Sequence, residues 1–324
     1  MSRTRRIGTF IAAFVALGLP QAQAQAQDTS DCIDGAVTLP LLGGRGDSPI
    51  LPATLDGKEI ALYFSSAFDA LYVGDMEGFE TEDTHKTLTI TTNRAHTRTR
   101  PVIRAGHLRL GSLDLQTPDM IRLDDYPIQH IGSRPLIGTI GSTFFDRLTL
   151  LLDMPHGVFA LIHFRQDPVC SKAPSDFIGA GAQVMSLSGN DSIMAKIEGR
   201  DHEMTLDSDV PVTTLPAQWL SGSERNDTNP TIALYGALRT RLFRTTLSSF
   251  RIGDITLDGM SAYAQQDLGV GLLGVDFFQS HMVLFDYPNR KVYLLSARSQ
   301  ITRAGTGLHF DRIREGQTHV SERP

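Results

Sequence analysis

The stretch "ATLDGKEIALYFSSAFDALYV" (Ala53–Val73) decides the fold, because the chain writes it a second time as "AKIEGRDHEMTLDSDVPVTTL" (Ala195–Leu215). The two lie on each other without a gap at an offset of 142 residues, and a repeat within one chain identifies equivalent positions with no second sequence. Each copy reads as a strand, an acidic-Gly-basic turn, a strand, a turn of small residues and a third strand. The same offset lays "LRLGSLDL" (Leu108–Leu115) on "FRIGDITL" (Phe250–Leu257), alternating strands bent at Gly111 and Gly253. Further on, "GTIGSTFFDRLTLLLDMPHGVFAL" from Gly138 matches "GLLGVDFFQSHMVLFDYPNRKVYLL" from Gly271 at an offset of 133, so the first copy holds nine more residues, assigned to a surface loop in "DDYPIQHIGSRP". These blocks combine a buried strand, a glycine (Gly141, Gly274), a Phe-Phe pair suited to a short helix, and a hairpin expected to close each lobe.

Nearly every periodic segment has period two and is rich in β-branched or aromatic residues, which predicts an all-β protein of two lobes related by duplication. The expected boundaries are a leader at 1–26, a first lobe at 27–165, a Pro- and Gly-rich linker at 166–182, a second lobe at 183–300 and a mobile tail at 301–324. The leader is "MSRTRRIGTFIAAFVALGLPQAQAQAQ": Arg3, Arg5 and Arg6 precede an apolar run from Ile7 to Leu19 and then an Ala-x-Ala repeat, as in a secretory signal peptide. Cleavage after Ala24 and after Ala26 reads equally well, and the Arg5-Arg6 pair leaves twin-arginine export open beside the general route. A periplasmic or secreted protein without a stable membrane anchor follows.

In that compartment the two cysteines, Cys32 and Cys170, are expected to form a disulfide. The ten histidines lack metal-ligand spacing, so no metal and no cofactor is expected. A net charge of −6 gives no reason to expect nucleic acid or anionic lipid as partner. "GRGD" (Gly44–Asp47) reads as a turn, and the alternating Arg94, Arg98, Arg100 and Arg104, echoed by Arg239, Arg241 and Arg244, as a solvated strand face.

"MTLDSDVPVTTL" resembles the signature strand of the aspartic peptidases, apolar residues followed by Asp-Thr/Ser-Gly, and "VGLLGVDFF" resembles that family's second signature, a glycine leading into a short helix beneath the catalytic turn. Order and duplication make most of the chain similar to the bacterial retropepsin-like and pepsin-like family. The resemblance implies a two-lobed pepsin-like fold, monomeric, with one aspartate from each lobe at the floor of a cleft that holds an extended peptide. Carried over position by position, Asp207 is the second-lobe aspartate and Ser208 stands in the Thr/Ser position; the gapless repeat puts Ser65, Ser66 and Ala67 at the first-lobe turn. Ser65 thus replaces an aspartate, and Ala67 and Asp209 stand where the family has glycine.

Hydrolysis by a carboxyl pair needs one member protonated and the other ionised. A serine hydroxyl does not ionise near neutrality, and loss of one general acid or base is roughly a 10²- to 10⁴-fold effect. The expected function is therefore a catalytically degenerate peptidase homologue that binds extended peptides. The alternative is an active endopeptidase in which Asp69 or Asp209 supplies the second carboxylate. Neighbours in one strand-turn are not expected to converge on one water, and Asp69 is expected to serve a turn hydrogen bond.

Overall fold

The structure is a computed structural model that describes residues 29–74, 76, 78–91, 97–123, 129–220, 231–235, 238–266, 268–297, 303–306, 308 and 319–322. The leader, Arg94 and the side chains of Arg239 and Arg241 lie outside the described residues. Among the described residues the strands form three sheets, of six, eleven and nine strands.

The eleven-stranded sheet is the first lobe. At its heart Ile50–Leu55 pairs antiparallel with Lys58–Ser65, which lies parallel to Arg134–Gly141, which in turn pairs with Leu71–Val73. The nine-stranded sheet repeats this in the second lobe: Ser192–Ile197 with Arg200–Leu206, then Gly271–Leu273, then Thr214–Pro216. The duplication reaches the backbone. Both acidic-Gly turns take two successive positive φ values, 49° and 75° at Asp56-Gly57 and 48° and 79° at Glu198-Gly199, the geometry a tight hairpin requires. The amide of Leu115 bonds the Leu108 carbonyl at 2.9 Å as that of Leu257 bonds Phe250 at 2.8 Å.

The two Phe-Phe segments become short helices, Ser142–Phe145 and Val275–Phe278. The hairpins that follow them do not close each lobe separately. Thr149–Asp153 and His281–Asp286 instead pair with each other, at the centre of the six-stranded sheet. The register sets Leu151 opposite Leu284, its own counterpart in the repeat, so a local twofold axis passes between them. Each hairpin has an edge that must be covered, and the duplicate supplies a matching one.

Period-two patterning explains how that sheet holds the molecule together. One face, with Leu150, Leu152, Phe159, Leu161, Val283 and Phe285, joins the core of both lobes. The other face, with Leu151, Ala160, Ile162, Leu284 and Tyr293, packs against the helix Ala173–Ile178 and the Cys32–Cys170 disulfide. That bond forms as expected across a sequence separation of 138. Within "DDYPIQHIGSRP", residues Gln129–Ile131 pair with Arg134–Leu136 as a hairpin, where a surface loop is expected. The C-terminal residues, expected to form a mobile tail, are held at two places. Residues 303–306 and 308 contact the Gly44–Ser48 stretch, and His319–Glu322 adds to the edge of the first-lobe sheet.

Candidate functional site

The two small-residue turns meet at the lobe boundary, and their contact obeys the same twofold relation. The Ser66 amide donates to Ser208 Oγ at 3.0 Å, and the Ser208 amide donates to Ser66 Oγ at 3.0 Å. Each hydroxyl then donates across the boundary to the carbonyl just ahead of the opposite turn, Ser66 Oγ to Leu206 at 2.7 Å and Ser208 Oγ to Phe64 at 3.2 Å. Small hydroxyl residues are needed at both positions. Each must accept and donate inside a contact only 0–1 % exposed, where an unsatisfied polar group costs about 1–3 kcal/mol.

The second-signature glycines let a strand pass directly beneath each turn. A Cβ on Gly141 would stand 2.4 Å from the Phe68 carbonyl oxygen, and one on Gly274 would stand 2.6 Å from that of Val210. The gaps are closed by equivalent hydrogen bonds, Ser142 N to Phe68 O at 2.9 Å and Val275 N to Val210 O at 2.7 Å. Asp276 supports the second turn by accepting from the Thr213 amide at 3.0 Å and the Thr213 hydroxyl at 2.8 Å. Burial raises the Asp276 carboxyl to about 6, against the opposing pull of those bonds.

Ser65 and Asp207 therefore occupy equivalent places on the two turns, as the repeat predicts. Asp209 departs from expectation. Its side chain leaves the glycine position of the second turn and crosses to the first, where Ser65 Oγ donates to its Oδ1 at 3.1 Å. Its backbone carbonyl accepts from Ser48 Oγ at 2.9 Å, which fixes the turn from the first-lobe side. Burial, the Asp207 charge and a hydrogen bond between the two carboxyl groups together hold the Asp209 carboxyl well above the ordinary range. The Ser65 bond opposes that rise. The Asp209 side chain reaches Ser65 because it stands at the position after Ser208, where the two turns meet. Ala67 closes the first turn with its amide 3.3 Å from Ser65 Oγ.

The site therefore contains two buried carboxyl groups, of which Asp209 is held well above the ordinary range by burial and the Asp207 charge, and one hydroxyl that donates to Asp209. Asp207 is 1 % exposed, and Asp209 and Ser65 are fully buried. Asp69 accepts from the Tyr72 hydroxyl at 3.3 Å. Among the described arginines, Arg104 pairs with Asp119 at 2.6 Å and Arg244 is exposed. In the sequence Asp209 stands only as an alternative second carboxylate, and nothing points to the part played by Ser48. The available signal was "LDSD" itself, where a second acid replaces the residue that ought to be smallest.

No protein-family profile and no curated protein sequence matches the chain. A solved structure of the aspartic proteinase from Irpex lacteus superimposes on 82 % of this chain and 98 % of its own, with a TM-score of 0.53 and 11 % identity. The fold is that of the pepsin-like aspartic proteinases. The two lobes with their curled sheets match that architecture. At this identity the likeness speaks to fold alone, and activity has to be argued from the site.

Proposed function

We propose that this chain is an exported peptidase-type hydrolase acting on extended peptides, with its carboxyl pair rebuilt inside one lobe: Asp207 as base, Asp209 as acid, Ser65 as the hydroxyl that positions Asp209. The observation that supports this is the fully buried Asp209 side chain, 3.1 Å from Ser65 Oγ, where burial and the Asp207 charge hold its carboxyl well above the ordinary range. It supplies the asymmetry that hydrolysis needs, one acid kept neutral next to one ionised carboxylate. In such a site a water adds to the peptide carbonyl carbon while Asp207 takes its proton. Asp209 protonates the departing nitrogen as the C–N bond breaks, and the proton on Asp207 passes back to Asp209. Export is supported by the basic-apolar leader and the Cys32–Cys170 bond. No helix among the described residues is long and apolar enough to cross a membrane.

The burial of Asp207, Asp209 and Ser65 favours a second reading, in which the turns only join the lobes and the cleft binds peptide without cutting it. Cleavage of a broad peptide library between pH 3 and 6 separates the two. On the first reading the native chain cleaves, and Asp207→Asn and Asp209→Asn each lose at least about 10²-fold. Asp209→Gly is likewise inactive, and adding Ser65→Asp to it returns activity by moving the carboxylate to the first lobe. No cleavage by the native chain, with cleavage gained in the Ser65→Asp/Asp209→Gly double variant, establishes the second reading.

A further inference from the structure

Gly44–Asp47 reads in the sequence as a turn with no further task. In the structure it grips residues 303–306 and 308 of the C-terminal segment. The Asp47 carboxylate, 1 % exposed, accepts from the Thr306 amide at 2.8 Å, the Thr306 hydroxyl at 3.1 Å and the Leu308 amide at 3.3 Å, besides the Gly44 amide of its own turn at 2.8 Å. The Arg45 amide donates to the Arg303 carbonyl at 2.9 Å, and the Arg303 guanidinium donates back to the carbonyls of Leu41 and Gly43. Two glycines allow this approach: a Cβ on Gly44 would stand 2.3 Å from the Ala304 carbonyl oxygen, and one on Gly305 would stand 2.1 Å from that of Arg45. Burying a carboxylate in backbone amides from a distant segment is a built contact, since the desolvation must be offset bond by bond.

The grip lies next to the candidate site. The Ser48 amide donates to the Leu308 carbonyl at 3.2 Å while the Ser48 hydroxyl holds the Asp209 carbonyl at 2.9 Å. Leu308 packs on the cluster that contains Phe68 and Tyr72, just past the Ser65–Ala67 turn, and Ile90 of the strand Thr81–Thr91. The segment's second anchor is on that same strand, where His319–Glu322 pairs antiparallel with Leu88–Thr91, Val320 facing Ile90 and Ser321 facing Thr89.

Resting on the peptide-cleft reading above, we propose that the C-terminal segment is a built-in strap. Fixed in the Gly44–Asp47 grip beside the acid pair, it occupies in cis the edge of Thr81–Thr91 that an extended peptide takes in trans by strand addition. Regulation is then by displacement. A peptide must compete with a tethered strand whose effective concentration is on the order of a millimolar, so an intrinsic affinity near 0.1 mM falls roughly tenfold in the intact chain.

The test uses the intact chain, a chain ending at Leu308, and a full-length Val320→Pro/Ser321→Pro variant. Successive amides of a strand face opposite edges, so one of the two prolines removes a bond to Thr81–Thr91 whichever way the strand sits. The probe is a fluorescein-labelled peptide of residues 315–324, followed by anisotropy, with circular dichroism to verify folding. The expected result is at least about tenfold tighter binding to both altered chains than to the intact one, and the proline variant decides alone if the shortened chain does not fold. Equal binding to the altered and intact chains, or none to any of them, overturns the strap. Hydrolysis is measured separately on the peptide library: if the altered chains bind the probe tenfold tighter and nothing is cleaved, the strap stands and the hydrolytic reading fails.

Discussion

Replacing Asp191 by Asn tests whether buried carboxyl groups at the lobe boundary make this fold an acid-stable one. Asp191 ends the turn Gly189–Asp191 with φ 50°, a left-handed conformation that Asn adopts as readily as Asp, so the substitution leaves the backbone undisturbed. Burial raises the Asp191 carboxyl to about 6, against the opposing pull of Ser142 from the first lobe, Arg290 and Tyr287. Arg290 is half exposed and its nitrogen stands 3.7 Å away, so it offsets burial only in part. Between pH 3.8 and about 6 the folded chain holds a proton that the unfolded chain has released. Stability therefore falls as pH rises through that window. The gap between 3.8 and about 6 corresponds to about 3 kcal/mol once both states are ionised. The Asn variant lacks this dependence, so its stability relative to the native chain should improve by about 3 kcal/mol between pH 3 and pH 7. At a urea slope of about 3 kcal/mol/M, the difference between the two midpoints moves by about 1 M. Urea titrations followed by the fluorescence of Trp219, the single tryptophan, give the midpoints. A native-to-variant difference that is the same at pH 3 and pH 7 refutes the reasoning.

Ser66→Ala should cost about 1–3 kcal/mol, because it strands the Ser208 amide and the Leu206 carbonyl in a buried contact. In a double-mutant cycle with Ser208→Ala the costs should fall clearly short of additive, since both changes break one network. Gly274→Ala drives a Cβ to 2.6 Å from the Val210 carbonyl oxygen and should cost at least about 1–3 kcal/mol; an unchanged urea midpoint would show that the strand does not run beneath the turn as described. Cys32→Ser with Cys170→Ser should lower stability by about 4–5 kcal/mol, as expected for a bond that closes a separation of 138 residues. The same loss should appear when the native chain is titrated in reducing buffer.

Most of the architecture was legible in the sequence because duplication converts one chain into an alignment of two. The offsets of 142 and 133 residues locate equivalent turns, glycines and strands, and the structure keeps those equivalences in individual hydrogen bonds. The equivalence of the turns at Ser65 and Asp207 was legible for the same reason. The shared sheet was not. Nothing in "LTLLLDMPHGVF" distinguishes a hairpin that seals one lobe from one whose edge finds its duplicate, because both need the same alternating apolar residues.

By itself the sequence determined two all-β lobes and the equivalence of their small-residue turns, with Ser65 in one where the other has Asp207, since period-two patterning and internal repetition are local properties of the chain. Only the tertiary structure decided that Asp209 sends its carboxyl group across to Ser65, and that "GRGD" grips a segment some 260 residues away. Both depend on the direction of a side chain through space and on the room left by residues distant in the chain. Repeat and period record what is equivalent, and they carry no information about what fills a gap.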